Sequence, residues 1–332
     1  MSGPPGGAPP QLTCLPVDGI DEVVEGDDLA ALLARAVALQ DGDILVVTSK
    51  VVSKAEGRVV AGKREEALAR ETDRTVAVRG RTAIVRTHHG LVMAAAGIDA
   101  SNTGPDTVVL LPQDPDGSAR RLREAVARNP GRNVAVLVTD TAGRAWRTGQ
   151  TDIAVGAAGL LPLHDYAGLT DPDGNELAVT VPAVADELAA AADLVKRKLD
   201  RRPAAVVRGL ADLVLAPGAH GPGAAALVRP ESQDMFGLGA REAVLEALRA
   251  EEPRGFGAAC PAVELVVALS AIAGDNAAVR HSDGAVTAHL SGTERRQGST
   301  DAVLRAAAFA HGWRAESVPG DQALLRFVPG TP

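Results

Sequence analysis

The segment VLVTDTAGRAWRTGQTD, residues 136–152, combines an apolar run with acidic and basic side chains. The run ends in Asp140 and Thr141, and Arg144 and Arg147 follow a few residues later. In α/β proteins, ligands gather beyond the carboxyl ends of strands. Carboxylate and hydroxyl oxygens suit a hard divalent cation, and guanidinium groups bind phosphate bidentately. The segment therefore predicts a strand that presents metal ligands next to phosphate-binding arginines, unless the arginines belong to a solvated loop.

Two further apolar runs end in polar residues of the same kind. The run ILVVT is followed by Ser49 and Lys50, with Lys54 four residues later, and the run GLVMAAAGI is followed by Asp99 and Asn102. Together with Asp140, these residues offer two carboxylates and a hydroxyl, which is a ligand set that magnesium or manganese selects. Taken singly, each aspartate is more often a helix cap or a turn residue, so the metal-site prediction depends on the combination.

The stretch GRVVAGKR, residues 57–64, looks like a phosphate-binding P-loop because it fits the spacing G-x-x-x-x-G-K. A P-loop requires serine or threonine after the lysine to hold the magnesium ion, and here Arg64 follows Lys63. A cation cannot replace a hydroxyl at a metal-ligand position. We therefore interpret the stretch as a surface turn that leads into a helix over residues 64–74.

The elements that would position these side chains are helices and strands without a regular βαβ alternation. One helix is expected to begin after Asp27 or Asp28, a second to be capped by Ser118, and residues 75–85 alternate like a strand pair. The remaining predicted strands are 44–49, 133–140 and 204–209, and the predicted helices are 118–128, 182–198 and 240–250. The last 70 residues or so show the order helix, strand, helix, strand. The pattern predicts a mixed α/β chain of the α+β class.

The composition excludes several classes of protein. The formal charge is −8, from 34 Lys and Arg against 42 Asp and Glu, and aromatic residues make up 2%. A nucleic-acid surface is therefore not expected, and no apolar run reaches the roughly 20 residues that a membrane span needs. Cys14 and Cys260 form neither a disulfide framework nor a metal motif. We expect a soluble, cytoplasmic protein without nucleic-acid or membrane partners, with a disordered leader over residues 1–11.

Four stretches together resemble the coenzyme F420-0:L-glutamate ligase family, the F420 γ-glutamyl ligases. The stretches are DGDILVVTSKVVSKAEGR, LVMAAAGIDASN, VTDTAGRAWRTGQTDIAVGAAGL and DYAGLTDPDGNELAVTVPAVADELAAAADLVKRK. The likeness extends from about residue 12 to about residue 250. It implies a mixed α/β fold of two subdomains, in an intertwined homodimer. It also implies an enzyme that uses GTP and divalent metal to join L-glutamate to coenzyme F420-0, and further γ-linked glutamates to the product.

The resemblance also assigns roles to single residues. By position, it assigns metal ligation to Asp99, Asp140 and Thr141, and GTP contacts to Gly19, Ile20, Asp21, Glu22, Ser49, Lys54 and Asn102. The metal would be magnesium or manganese, as a pair of ions, with potassium as a further candidate. Activation of a carboxylate as an acyl phosphate needs positive charge around the phosphates, and we expect Arg144 and Arg147 to supply part of it as catalytic residues.

The end of the chain does not match the longer members of this family, which carry a flavin-binding, nitroreductase-like domain. Residues 251–332 are too few for such a domain of about 200 residues, so no flavin is expected. The predicted organisation is a ligase domain over residues 12–250 and a small α/β appendage over residues 251–332. Two alternatives remain open: an amide ligase of the same family with another acyl acceptor, or a non-catalytic nucleotide-binding regulator.

Overall fold

The computed structural model describes residues 11–100, 104, 106–251, 253, 255–316 and 318–330. The chain divides into two compact units, Met1–Val228 and Arg229–Pro332. All but one residue of the predicted leader lie outside the described residues. In the described ranges, no helix has both the length and the apolar character that crossing a bilayer requires.

The first unit contains ten strands and five helices among its described residues. The strands are β1 (Thr13–Val17), β2 (Ile44–Thr48), β3 (Val59–Ala61), β4 (Thr72–Arg79), β5 (Thr82–Thr87), β6 (Val92–Ala94), β7 (Thr107–Val109), β8 (Ala135–Arg144), β9 (Arg147–Ala158) and β10 (Ala204–Arg208). The helices are α1 (Leu29–Ala36), α2 (Ser49–Ala55), α3 (Arg64–Glu71), α4 (Pro115–Arg128) and α5 (Val184–Lys196). This content confirms the mixed α/β prediction.

A five-stranded sheet in the order β1-β10-β2-β8-β9 forms the centre of this unit. Strands β2 and β8 run parallel, whereas the other neighbours are antiparallel. Side chains alternate between two apolar layers: Leu45 and Val136 pack with α1 and α4 on one face, and Val46 and Leu137 pack with α5 on the other. Because both faces are covered, these strands are continuous apolar runs, which is why the sequence predicts them well.

Three predicted elements differ from the structure at their ends. Strand β8 continues past Asp140 to Arg144, because β9 pairs with it as a hairpin along its whole length. Helix α4 begins at Pro115, and its cap is Asp114, whose carboxylate accepts a hydrogen bond from Gly117 N; Ser118 lies inside the helix, so its prediction as the cap was wrong. The helix predicted over 64–74 ends at Glu71, where β4 takes over.

Two small sheets, β3-β7 and β4-β5-β6, complete the first unit. They hold the segment that carries Asp99, whose backbone N–H and C=O both bond to Val109, at 3.0 and 2.8 Å. Strand β3 occupies residues 59–61, so the middle of the stretch GRVVAGKR is extended backbone. The backbone there pairs with β7, which leaves it unable to wrap around a phosphate.

The second unit is a four-stranded antiparallel sheet with three helices in its described residues. Its elements are α6 (Ala240–Arg249), α7 (Ala262–Ala273), β11 (Ala277–Ser282), β12 (Ala285–Leu290), α8 (Glu294–Ala310), β13 (Trp313–Glu316) and β14 (Leu324–Pro329), with the strand order β11-β12-β14-β13. Its core includes Leu265, Leu304, Trp313 and Phe327. The sequence placed the boundary after residue 250, whereas here it precedes α6, because α6 packs against α8.

The contact between β9 and α4 gives a test of how tightly the central hairpin is held. A Cβ atom at Gly156 would lie 2.5 Å from the backbone carbon of Pro115. Gly156→Ala is therefore expected to lower the free energy of unfolding by about 1–3 kcal/mol through overpacking, as measured by urea denaturation. Gly143→Ala in the same hairpin is the control, because a Cβ there meets nothing within 4 Å. Equal stability of the two variants would contradict this packing.

Candidate active site

A cavity of about 330 Å³ opens beside the central sheet, where the parallel pairing of β2 with β8 ends. Thr48, the last residue of β2, lies opposite Thr139 of β8. The residues that follow, Ser49 at the start of α2 and Asp140 in β8, therefore lie next to each other in the cavity. Other residues that line it are Ile20, Asp21, Glu22, Lys50, Lys54, Asp99, Thr141, Asp152, Asp193 and Lys196.

Asp140 is the most perturbed carboxylate of the cavity. Its pKa is raised to about 7, mainly by burial and also by the nearby Asp152 and Asp99 carboxylates, although hydrogen bonds from Ser49 and the Thr141 backbone act in the opposite direction. The Ser49 hydroxyl donates to Asp140 Oδ1 at 3.1 Å. Ionised Asp140 therefore lacks enough positive charge around it, and a cation placed there would lower its pKa.

Asp152 forms a buried ion pair on the other face of the same hairpin. Its Oδ2 accepts from Lys196 Nζ at 2.5 Å and from the Thr139 hydroxyl at 2.9 Å, and its Oδ1 accepts from the Thr141 hydroxyl at 2.9 Å. Asp152 is 3% exposed and Lys196 is 4% exposed. The Thr141 hydroxyl donates its hydrogen to Asp152, so the lone pairs of its oxygen can coordinate a cation in the cavity.

A β-bulge decides on which face Asp152 lies. Val138 pairs with Gly156, but Thr139 pairs with Ala154 and Thr141 with Asp152, so β9 contains one extra residue here. In an unbroken ladder Asp152 would face the same side as Asp140, because side chains alternate with a period of two. The bulge turns Asp152 to the α5 side, where Lys196 at the end of that helix reaches it.

Two lysines that line the cavity form ion pairs with its acidic residues. Lys50 Nζ lies 2.5 Å from Asp99 Oδ2, which places a cation beside one predicted metal ligand. Lys54 is 8% exposed and forms an ion pair with Glu22. Both lysines lie on α2, which begins directly after β2 and so projects from the carboxyl end of the parallel pair.

The donor set fits a hard divalent cation better than any softer metal. Among the described residues, no three His, Cys, Asp or Glu side chains form a ready-made metal site. The cavity nevertheless brings together Asp99, Asp140 and the Thr141 oxygen, all oxygen donors, and the raised pKa of Asp140 shows that its negative charge is undercompensated. Magnesium and manganese prefer such ligands, so these residues would hold one of these ions. Asp99 would then exchange part of its ion pair with Lys50 for the metal.

The structure brings most of the predicted site residues together. Ile20, Asp21, Glu22, Ser49, Lys54, Asp99, Asp140 and Thr141 all line the cavity. Gly19, at a φ of 76°, precedes this set but is not among the lining residues. Asn102 lies outside the described residues. The roles of all these residues stay predictions; what the structure gives is their proximity.

Arg144 and Arg147 lie elsewhere. They flank the turn of the β8–β9 hairpin, four and seven residues beyond Asp140, and both are exposed. At about 3.4 Å per residue, four residues carry Arg144 roughly 14 Å along the strand from Asp140. Neither arginine is among the described residues that line the cavity. Within this chain the hairpin therefore carries them away from the carboxylates, and their catalytic role stays a prediction.

The sequence analysis did not identify several charged residues that line the cavity. Asp152 and Lys196 were not singled out, and neither were Arg197, Lys198 and Arg201, which follow α5. The unusual run KRKLDRR, residues 196–202, was a signal in the sequence of an acidic protein. Helix periodicity does not reveal this role, because it does not tell which wall of a cavity a helix end meets.

Comparisons with known proteins cover the part of the chain that lines this cavity. The family model described as F420-0:Gamma-glutamyl ligase matches residues 19–67 and 61–209, which include every described residue predicted for the site. Coenzyme F420:L-glutamate ligase from Methanopyrus kandleri is 38% identical over 252 residues, 69% of this chain and 99% of that protein. The proteins of the same name from Archaeoglobus fulgidus and Halobacterium salinarum are 42% and 45% identical over 222 and 218 residues. Those matches cover 60% and 58% of this chain, and 88% and 85% of the relatives.

The buried pair of Asp152 and Lys196 gives a double-mutant test. Lys196→Met leaves the Asp152 carboxylate buried without its cation, and we expect a loss of about 3–5 kcal/mol in the free energy of unfolding. The double variant Lys196→Met, Asp152→Asn removes both charges and should be more stable than the single one. Urea denaturation measures both. If the double variant is the less stable of the two, the charges are not coupled as described.

The raised pKa of Asp140 predicts how stability depends on pH without metal. The pKa of Asp140 is about 7 in the folded protein and near 3.8 in the unfolded chain, so ionisation of Asp140 opposes folding. The cost is absent below about pH 4, grows between pH 4 and 7, and is complete above pH 7. Asp140→Asn, which cannot ionise, should gain stability over the unchanged protein as pH rises from 5 to 8, on the order of 2 kcal/mol.

The measurement is urea denaturation with a metal chelator at both pH values, with Asp212→Asn as the control. Asp212 is an exposed carboxylate outside the cavity lining. A difference between Asp140→Asn and the unchanged protein that stays the same at pH 5 and pH 8 would show that Asp140 titrates normally.

Proposed function

This chain belongs to the F420-0:gamma-glutamyl ligase family, and from that premise we propose that it joins L-glutamate to coenzyme F420-0 with GTP as the co-substrate. We further propose that it adds γ-linked glutamate to the first product. The observation that carries the proposal is the meeting of Ser49, Asp99, Asp140 and Thr141 in one cavity with Lys54. These are the groups that phosphoryl transfer to a carboxylate requires.

The chemistry begins with a carboxylate that is a poor acylating group. Transfer of the γ-phosphoryl group of GTP to a carboxylate oxygen breaks the bond to the β-phosphate oxygen, forms an acyl phosphate and releases GDP. The amine of L-glutamate then attacks the acyl carbon, the amide bond forms, and inorganic phosphate leaves with the electron pair of the broken C–O bond. The amine loses one proton, which passes to solvent or to a nearby base.

The residues of the cavity position and neutralise the reacting anions. Asp99, Asp140 and the Thr141 oxygen would hold a divalent metal, which supplies charge neutralisation for the phosphates when bound. Lys54 lies on the wall formed by residues 20–22 and offers its ammonium group as a point charge for phosphate. Asp152 holds the Thr141 hydroxyl in one orientation and is itself neutralised by Lys196.

The direct test is mass spectrometry of the products formed from GTP, L-glutamate and coenzyme F420-0 with magnesium or manganese. A product heavier than F420-0 by one glutamyl residue, with one GDP released for each amide bond, supports the proposal, and further steps of the same mass support chain extension. Turnover with a different acyl acceptor only would favour the alternative ligase. GTP binding without turnover on any carboxylate would favour the regulator.

The variant Asp140→Asn is the matched control for that assay, and we expect it to lose activity. Its amide keeps one oxygen donor but lacks the negative charge that offsets the metal. Near-normal turnover of this variant at saturating manganese would remove Asp140 from the site. A thermal unfolding curve on the same sample shows whether the variant is folded.

The nucleotide-binding prediction separates Lys54 from Lys63, the lysine of the P-loop-like stretch. Removing a lysine that touches phosphate deletes a charge-assisted hydrogen bond worth about 1.5–3 kcal/mol, or roughly ten- to a hundredfold in affinity. Lys54→Ala should therefore weaken GTP binding at least about tenfold. Lys63→Ala should leave it nearly unchanged, because Lys63 is exposed at the start of α3 and outside the cavity lining. Calorimetric titrations decide, and the reverse order would overturn the site.

A further inference from the structure

A short basic loop follows helix α5 and forms one wall of the cavity mouth. We call residues 197–202, with the sequence RKLDRR, the basic loop. Its four cations, Arg197, Lys198, Arg201 and Arg202, all line the cavity. The chain as a whole carries a net charge of −8, so this density of positive charge is local and lies beside the acidic interior of the site.

Only part of this positive charge is used within the protein. Arg202 donates to Asp18 at 2.6 Å and to Asp200 at 2.9 Å, so it anchors the loop. Arg197 lies 3.9 Å from Asp200, which it shares with Arg202, and its side chain is 70% exposed. Lys198 and Arg201 are exposed and form no ion pair among the described residues.

The backbone of the basic loop is strained at two of its arginines. Arg197 and Arg201 both have a φ of 56°, in the left-handed region that residues with a Cβ atom rarely adopt. Backbone strain of this kind is concentrated at active sites and ligand-binding segments. Here Pro203 and the start of β10 follow at once, and both arginines line the cavity.

From these observations we propose that Lys198 and Arg201 bind the phosphate of a phosphate-bearing substrate at the mouth of the cavity, with Arg197 beside them. The proposal rests on the proposed function, because it assigns to the basic loop the charge neutralisation that the reaction needs and that Arg144 and Arg147 do not provide from within this chain. The ligand is a phosphate group, carried either by the polyphosphate chain of the nucleotide or by the acyl donor, coenzyme F420-0. Both have the charge that a pair of exposed cations recognises.

A helix C-terminus favours cations by itself, which accounts for Lys198 near the end of α5. It does not account for Arg201, since the dipole effect falls off within the last turn. The two explanations differ in what they predict. A dipole role affects stability only, whereas a phosphate role affects ligand binding and leaves stability nearly unchanged.

The test is the double variant Lys198→Gln, Arg201→Gln, with Arg79→Gln, Arg81→Gln as the matched control. The control removes the same charge from two exposed arginines near the β4–β5 turn, neither of which lines the cavity. Calorimetry with inorganic tripolyphosphate, GTP and coenzyme F420-0, each with magnesium, measures binding without turnover. The result therefore stands whether or not ligation of F420-0 is observed. Steady-state KM values for GTP, F420-0 and L-glutamate complete the set.

We expect the loop variant to bind at least one phosphate-bearing ligand roughly tenfold or more weakly, with a difference that shrinks as salt is raised. Weakened tripolyphosphate and GTP binding identifies the nucleotide as the source of the phosphate, and weakened F420-0 binding identifies the acyl donor. Unchanged binding of all three ligands overturns the proposal. An equal loss in the control, or a rise in KM for L-glutamate alone, overturns it as well.

Discussion

Burial of a carboxylate with little positive charge beside it is the constraint on which this site depends. Asp99, Asp140 and Asp152 line one cavity, and burial in the presence of the other two raises the pKa of Asp140 to about 7. Each of the other two has a lysine at 2.5 Å, Lys50 on Asp99 and Lys196 on Asp152. Among the described residues, Asp140 accepts hydrogen bonds from the Ser49 hydroxyl and the Thr141 backbone and forms no ion pair, so a further positive charge there lowers the energy.

The fold separates these charges by strand geometry. Parallel pairing of β2 with β8 brings Ser49 next to Asp140, and the bulge in β9 turns Asp152 to the opposite face, where Lys196 neutralises it. The hairpin thus carries two different carboxylates. Asp152 forms an ion pair with Lys196, whereas Asp140 forms no ion pair with a described residue. The basic loop lies on the same wall as Lys196, so positive charge continues from the buried pair to the cavity mouth.

The sequence predicted the interior of the site better than its rim. Ser49 and Asp140 follow the parallel pairing of β2 with β8, so their proximity follows from the sequence pattern, whereas Asp99 reaches the cavity on a segment held by the small antiparallel sheets. The bulge that redirects Asp152 leaves no mark on alternation, and the pairing of Lys196 with Asp152 spans 44 residues of chain. Arg144 and Arg147 are close to Asp140 in sequence, but along an extended hairpin this proximity becomes distance, and their catalytic role stays a prediction.

The central claim is that Asp99 and Asp140 jointly hold a divalent metal in the cavity. Anomalous diffraction from crystals of this protein grown with manganese and GDP tests it most directly. The account predicts a strong anomalous peak within about 2.5 Å of carboxylate oxygens of both Asp99 and Asp140, and loss of that peak in Asp140→Asn. A manganese peak bound elsewhere, or one that persists unchanged in Asp140→Asn, would contradict it.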